Sequence, residues 1–212
     1  VKFQNRFDGY SSFPVPQASA ETFYLHPRSL FDTGDLESYP YQSWFSQDNT
    51  INSWADTLMF STQIPAISQL LEQLNLPILS SIPLASTIRG IHFDSGRLDE
   101  MMQIRGTPNV TLQVQPKEDT MQLVAYLYDM DSLGVGKLIT HGAITLPETE
   151  AGKKVTLDFE LVTTAYDVPA GHKLVLAIDT KDPQYQSPTT NAYDVDFEFS
   201  SNKQSILTIP TL

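Results

Sequence analysis

From Gly106 onward the chain is written in the period of a β-strand. Residues 109–115 (NVTLQVQ) alternate Val110, Leu112 and Val114 with Thr111, Gln113 and Gln115, the pattern of a strand buried on one face. Residues 155–161 (VTLDFEL) repeat it, with Val155, Leu157, Phe159 and Leu161 on the inward side. Residues 121–131 (MQLVAYLYDMD) and 173–179 (KLVLAID) are apolar at nearly every position, which predicts strands covered on both faces. DVDFEF (194–199) and SILTI (205–209) supply two more short strands. The separators PKEDT, DSLGVGK, PETEAGKK, VPAGH, KDPQYQSP and SSNKQ carry turn chemistry. Strands spaced by turns, without a helix between them, predict an all-β sandwich or jelly roll rather than a parallel α/β sheet.

The first half is less regular. ETFYLHP (21–27) and TLMFSTQI (57–64) read as strands, and residues 29–54 as a polar loop studded with aromatics. PAISQLLEQLNLP (65–77) places Ile67, Leu70, Leu71 and Leu74 at helical spacing between Pro65 and Pro77. It predicts one short helix over 65–75, laying its apolar stripe on the sandwich.

Charge narrows the partners. Against 25 Asp and Glu stand 13 Lys and Arg, a net charge of −12 in 212 residues, with no basic run. Nucleic acid and anionic membrane surfaces are therefore not expected partners, and no apolar stretch reaches the length of a membrane-spanning helix. With no cysteine, disulfides, thiolate zinc sites and a cysteine nucleophile are excluded, but cytoplasmic and secreted or periplasmic bacterial settings fit equally. The chain begins at Val1 with no signal-peptide pattern, and is expected to be a piece of a longer polypeptide.

The motifs of chemistry do not assemble. No Gly-x-Ser-x-Gly pentapeptide is present, and Ser11 and Ser95 sit beside glycines without a strand-to-helix context. His26, His92, His141 and His172 are too scattered for a helical zinc motif. The stretch from Asp129 to Thr140 opens like a calcium loop, but has Leu133 at its fifth position and Thr140 where the bidentate Glu belongs; it reads as a turn between strands. Asn109-Val110-Thr111 is formally a glycosylation sequon that opens a strand. No glycine loop for phosphate appears. No catalytic residue, metal ligand or cofactor is expected. Aromatic residues remain as binding candidates: Trp44, Trp54 and Tyr185 foremost, with Tyr39, Tyr41 and Phe45 nearby in sequence. His172, on a Pro169-Ala170-Gly171 turn with Asp167 before it and Asp179 and Asp182 after it, poses the choice between a catalytic base and a structural corner. With no nucleophile for it to serve, the expected role is structural, the imidazole pinning the turn by hydrogen bonds to backbone.

Three stretches carry a resemblance. IHFDSGRLDEMMQIRGTPNVTLQV (91–114), QLVAYLYDMD (122–131) and VTLDFELVTTAYDVPAGHKLVLAIDTKDPQY (155–185) resemble the C-terminal non-catalytic domain of the X-prolyl dipeptidyl peptidase and cocaine esterase family of serine hydrolases. The spacing of Leu98, Gly106, Pro108, Asp129, Pro169, Gly171 and His172 carries the likeness, and FPVPQASAETFYLHP (13–27) is similar to the proline-rich lead into that domain. The resemblance implies a galactose-binding-like jelly roll whose catalytic triad lies upstream, in an α/β-hydrolase domain of the same polypeptide. It implies residues 1–20 as the connection, residues 21–212 as one jelly-roll domain, and residues 31–89 as an atypical insertion with one short helix. The expected function is to pack on the hydrolase domain and shape its substrate site, with an oligomer contact as a further role. The alternative is a stand-alone carbohydrate-binding module of the same fold.

Overall fold

The computed structural model describes residues 1–4, 6–29, 32–54, 79–81, 90–182, 185, 187–189 and 191–212. The predicted strand at 57–64 and the predicted helix at 65–75 lie outside the described residues.

Fourteen strands make up the described regular structure. The first half contributes β1 (Ser19–His26), β2 (Gly34–Glu37), β3 (Gln47–Asn52), β4 (Leu79–Ser81), β5 (Ile91–Asp94) and β6 (Met102–Gly106). The second contributes β7 (Asn109–Pro116), β8 (Met121–Met130), β9 (Val135–Leu146), β10 (Val155–Glu160), β11 (Thr164–Val168), β12 (Lys173–Asp179), β13 (Asp194–Phe199) and β14 (Ile206–Thr211). They join in the order β3-β13-β7-β14-β1-β2-β5-β12-β8-β9-β4, with β10 added on β7, and β11 and β6 attached through β14. The β2–β5 pair is parallel; the other ladders are antiparallel.

The sheet closes over its own apolar side as a β-sandwich. Val110 and Leu112 of β7, Phe197 of β13 and Leu207 of β14 share one buried cluster with Phe93 of β5, Leu123 and Leu127 of β8 and Leu176 of β12. Those of β7, β13 and β14 belong to the inward half of an alternating strand, so the register of these pairs follows from the pleat. The expectation for β8 and β12 also holds. Val124, Tyr126 and Tyr128 of β8 and Val175 and Ala177 of β12 turn to the opposite face and form a second buried cluster with Leu138 of β9.

The aromatic-studded segment contains two strands that its composition hides. β3, with sequence QDNTIN, buries Ile51 alone on its inward side and pairs with β13 along its whole length. The longest strand, β9, and the short β11 had no sequence expectation either. β9 carries His141-Gly142 at its middle, which breaks both alternation and apolar continuity, and β11 follows β10 without a glycine- or proline-marked turn.

Candidate functional site

Five of the residues that carry the family spacing meet at one corner. Gly171 takes φ +81°, a conformation open to glycine at little cost, and this lets the chain reverse from β11 into β12. The turn is closed by the His172 N–H donating to Pro169 O at 3.3 Å. It is tied to the loop after β5 by Gly171 N–H to Leu98 O at 2.8 Å and Leu98 N–H to His172 O at 2.9 Å. The imidazole then reaches Asp129, at the end of β8, with Nδ1 2.6 Å from Oδ1. The other carboxylate oxygen accepts the Tyr166 hydroxyl at 2.7 Å.

This corrects the expected role of His172 in one respect: its side chain pins the corner through a buried carboxylate 43 residues away, and not through backbone. The physical reason is burial. Asp129 is 2% exposed, so its charge requires partners, and His172 on the turn before β12 and Tyr166 on β11 supply them. Burial, and then the bond to Asp129, pushes the Tyr166 phenol far above its ordinary range; it is a permanent donor. Asp167, Asp179 and Asp182 are not partners of His172. Asp179 instead accepts the backbone N–H groups of Thr180 and Lys181, and Asp182 accepts the Tyr126 hydroxyl. A His–Asp pair is half of a catalytic relay, but no serine, threonine or lysine among the described residues bonds to the imidazole. The arrangement orders a corner and has no nucleophile to activate.

Asp167 belongs to a second constellation, absent from the sequence reading. Residues 1–4 and 6–18 form an N-terminal strap whose Lys2, Phe3, Arg6, Asp8 and Tyr10 contact β11 and β6. Lys2 N–H donates to Ala165 O at 2.7 Å, and Phe3 packs edge-on against Tyr166 with ring centroids 6.1 Å apart. Arg6 pairs with Asp8 and Asp167, both at 2.9 Å. Arg105, 2% exposed on β6, uses its whole fork: Nη1 to the carbonyls of Ile104 (2.8 Å) and Tyr166 (3.1 Å), Nη2 to Asp8 (2.9 Å) and Asp167 (2.7 Å), Nε to the Tyr10 hydroxyl (3.2 Å). A buried guanidinium is tolerable because every donor is met. Hydrogen bonding from Arg6, and next from Arg105, holds the Asp8 carboxyl down at about 2. One signal was available in the sequence: Arg105 is the lone charge in an otherwise strand-like MQIRG.

The binding candidates do not come together. Trp44 is 98% exposed, on the loop between β2 and β3. That loop is clasped to the β13–β14 turn by Tyr41 N–H to Gln204 Oε1 at 2.9 Å and Ser43 N–H to Ser201 Oγ at 2.9 Å. Trp54 is 76% exposed past the far end of β3, with the strand's span of about 20 Å between the two rings. Tyr185 sits beside the second buried cluster, its hydroxyl 2.8 Å from His141 Nδ1. The three rings form no common platform. Tyr39 and Tyr41 flank His26, edge-on at 5.2 and 5.3 Å. The stretch from Asp129 is the β8–β9 turn, with Asp131 Oδ1 accepting the N–H groups of Leu133 and Val135. Among the described residues, no group of three or more His, Asp or Glu is placed to hold a metal ion.

Fold and site thus define a class, that of an all-β sandwich domain with a corner and a strap tied by buried polar networks. Residues 1–211 match the X-Pro dipeptidyl-peptidase C-terminal non-catalytic domain, and the chain belongs to that family. Solved structures with the same fold include an aminopeptidase from a marine sediment archaeon of the Thaumarchaeota (TM-score 0.75, 12% identity, 98% of this chain and 39% of that one). A CocE/NonD family hydrolase from Staphylococcus aureus superposes with TM-score 0.70 and 15% identity, over 99% of this chain and 39% of that one. An α-amino acid ester hydrolase gives TM-score 0.70 and 15% identity, over 91% of this chain and 36% of that one. The chain therefore spans about two fifths of the length of these structural relatives. A search of curated proteins gives no match.

Proposed function

We propose that this chain is the C-terminal accessory domain of a serine hydrolase of the X-Pro dipeptidyl-peptidase or acyl-esterase type. Residues 1–20 form the connection, and residues 21–212 form one jelly-roll domain that packs on the upstream α/β-hydrolase domain and walls part of its substrate site. The observation that carries this reading is the family match over residues 1–211. Two features of the described residues support it: the His172 imidazole bonds to no serine, threonine or lysine among them, and Trp44, Trp54 and Tyr185 lie on different elements.

The test is the complete reading frame. It is expected to encode a Gly-x-Ser-x-Gly nucleophile elbow upstream of Val1, and its product to hydrolyse an aminoacyl-prolyl arylamide or a simple aryl ester. A reading frame without such an elbow, whose product retains an oligosaccharide on affinity electrophoresis, would instead assign the chain to stand-alone carbohydrate binding.

A further inference from the structure

We propose that the outer side of the N-terminal strap is the surface on which the upstream domain docks, with Phe7 and Phe13 as its apolar anchors; this rests on the function proposed above. Large apolar side chains left in water mark contact surfaces when they gather; one group lies on the strap and a second, Tyr39, Trp44 and Phe45, on the loop between β2 and β3, and connectivity decides between the two. Phe7 is 97% exposed, Phe13 63% and Tyr10 37%, all on the strap. Met101 and Leu212, 54% and 44% exposed, flank the β6 strand beneath it: Met101 immediately precedes β6, and the Leu212 N–H donates to Gln103 O at 3.0 Å.

The outward positions of β10 and β13 have the contrary chemistry. Asp158 and Glu160 of β10 and Asp194, Asp196 and Glu198 of β13 occupy outward positions of their strands, a solvated acidic face unsuited to apolar burial. The strap is also preformed. The Arg6, Asp8, Arg105 and Asp167 network fixes its course, so little ordering cost remains to be met when the rings are covered. The occupant follows from connectivity. Under the proposed function the polypeptide enters this domain through residues 1–18, which makes the strap the part nearest the junction. The upstream domain is then present at the high effective concentration of a covalently tethered partner. In the solved structures that share this fold, the larger part of each chain lies outside the matched span, ample to cover such a surface.

The experiment uses the full-length protein and exploits the absence of cysteine from these 212 residues. Phe7→Cys, Phe13→Cys, Trp44→Cys and Leu133→Cys are made singly, with any upstream cysteine replaced, and native maleimide labelling is timed. Positions 7 and 13 are expected to label at least about tenfold more slowly than 44 and 133, at a ratio independent of protein concentration. Labelling at 7 and 13 as fast as at 44 would overturn the docking surface while leaving the proposed function standing. Protection that grows with protein concentration would assign the strap to self-association and equally overturn it. A reading frame with no upstream hydrolase domain removes the proposed function itself, and the docking surface with it.

Discussion

Asp129 is the residue on which the corner depends, because a buried carboxylate must keep its partners. Removing the imidazole in His172→Ala leaves Asp129 with Tyr166 alone, and is expected to cost about 1.5 to 3 kcal/mol, the range for a hydrogen bond to a charged group. Urea unfolding of the variant checks this; a midpoint equal to wild type would show that the pair contributes nothing. His92 makes a separate prediction. It lies on β5 opposite Ala177, 2% exposed, with no hydrogen-bond partner for Nε2 among the described residues. Burial, and then the positive charge of Arg28, pushes it down to about 4. Its folded-state value lies below the unfolded one near 6.5, so the unfolded chain binds the proton first. Stability is full above about pH 6.5 and falls as the pH drops toward 4, by about 3 kcal/mol over that window. In His92→Leu this acid slope should flatten, read from melting temperatures at pH 7 and pH 5; an unchanged slope would remove His92 as its source.

Elements differ in how visible they are in the sequence, and the difference is physical. β7, β8, β10, β12, β13 and β14 were legible because alternation or unbroken apolarity reports burial directly. β9 was not, since its middle Gly142 is dictated by a close approach: a Cβ there would lie 2.6 Å from Glu160 O, a tertiary constraint with no local trace. Two glycines of positive φ make opposite cases. A Cβ at Gly171 meets nothing within 4 Å, so Gly171→Ala should cost only the left-handed backbone penalty, about 1 kcal/mol. At Gly106 a Cβ would fall 2.9 Å from two ring carbons of Pro210, and Gly106→Ala should cost more, about 1 to 3 kcal/mol. Equal melting temperatures for the two variants would contradict this. The strap is held chiefly by polar contacts, so its test is local. Arg6 is a trypsin site shielded by Asp8 and Asp167, and Asp167→Asn should speed cleavage after Arg6 before the domain unfolds; cleavage at the wild-type rate would show that the ion network does not hold the strap.

At the scale of the whole molecule, fold class and family were legible because strand period and motif spacing survive without side-chain geometry. The candidate site was legible only in part. His172 stood out on its turn beside Asp167, Asp179 and Asp182, but its carboxylate partner is Asp129, 43 residues away, which only the strands laid side by side bring to it. Proximity in sequence favoured Asp167, which the fold gives to Arg105 and Arg6. The binding aromatics stood out by residue type, and type says nothing of where a loop carries them. The central claim is that these 212 residues form an accessory domain without a catalytic centre of their own. Its most direct test is turnover by the purified 212-residue chain, measured with an aminoacyl-prolyl arylamide and an aryl ester beside the product of the complete reading frame. The expected result is hydrolysis by the complete product and a rate at buffer background for the chain alone, since no serine among its described residues bonds to a histidine. Hydrolysis by the chain alone that scales with its concentration and is lost in His172→Ala would contradict the account.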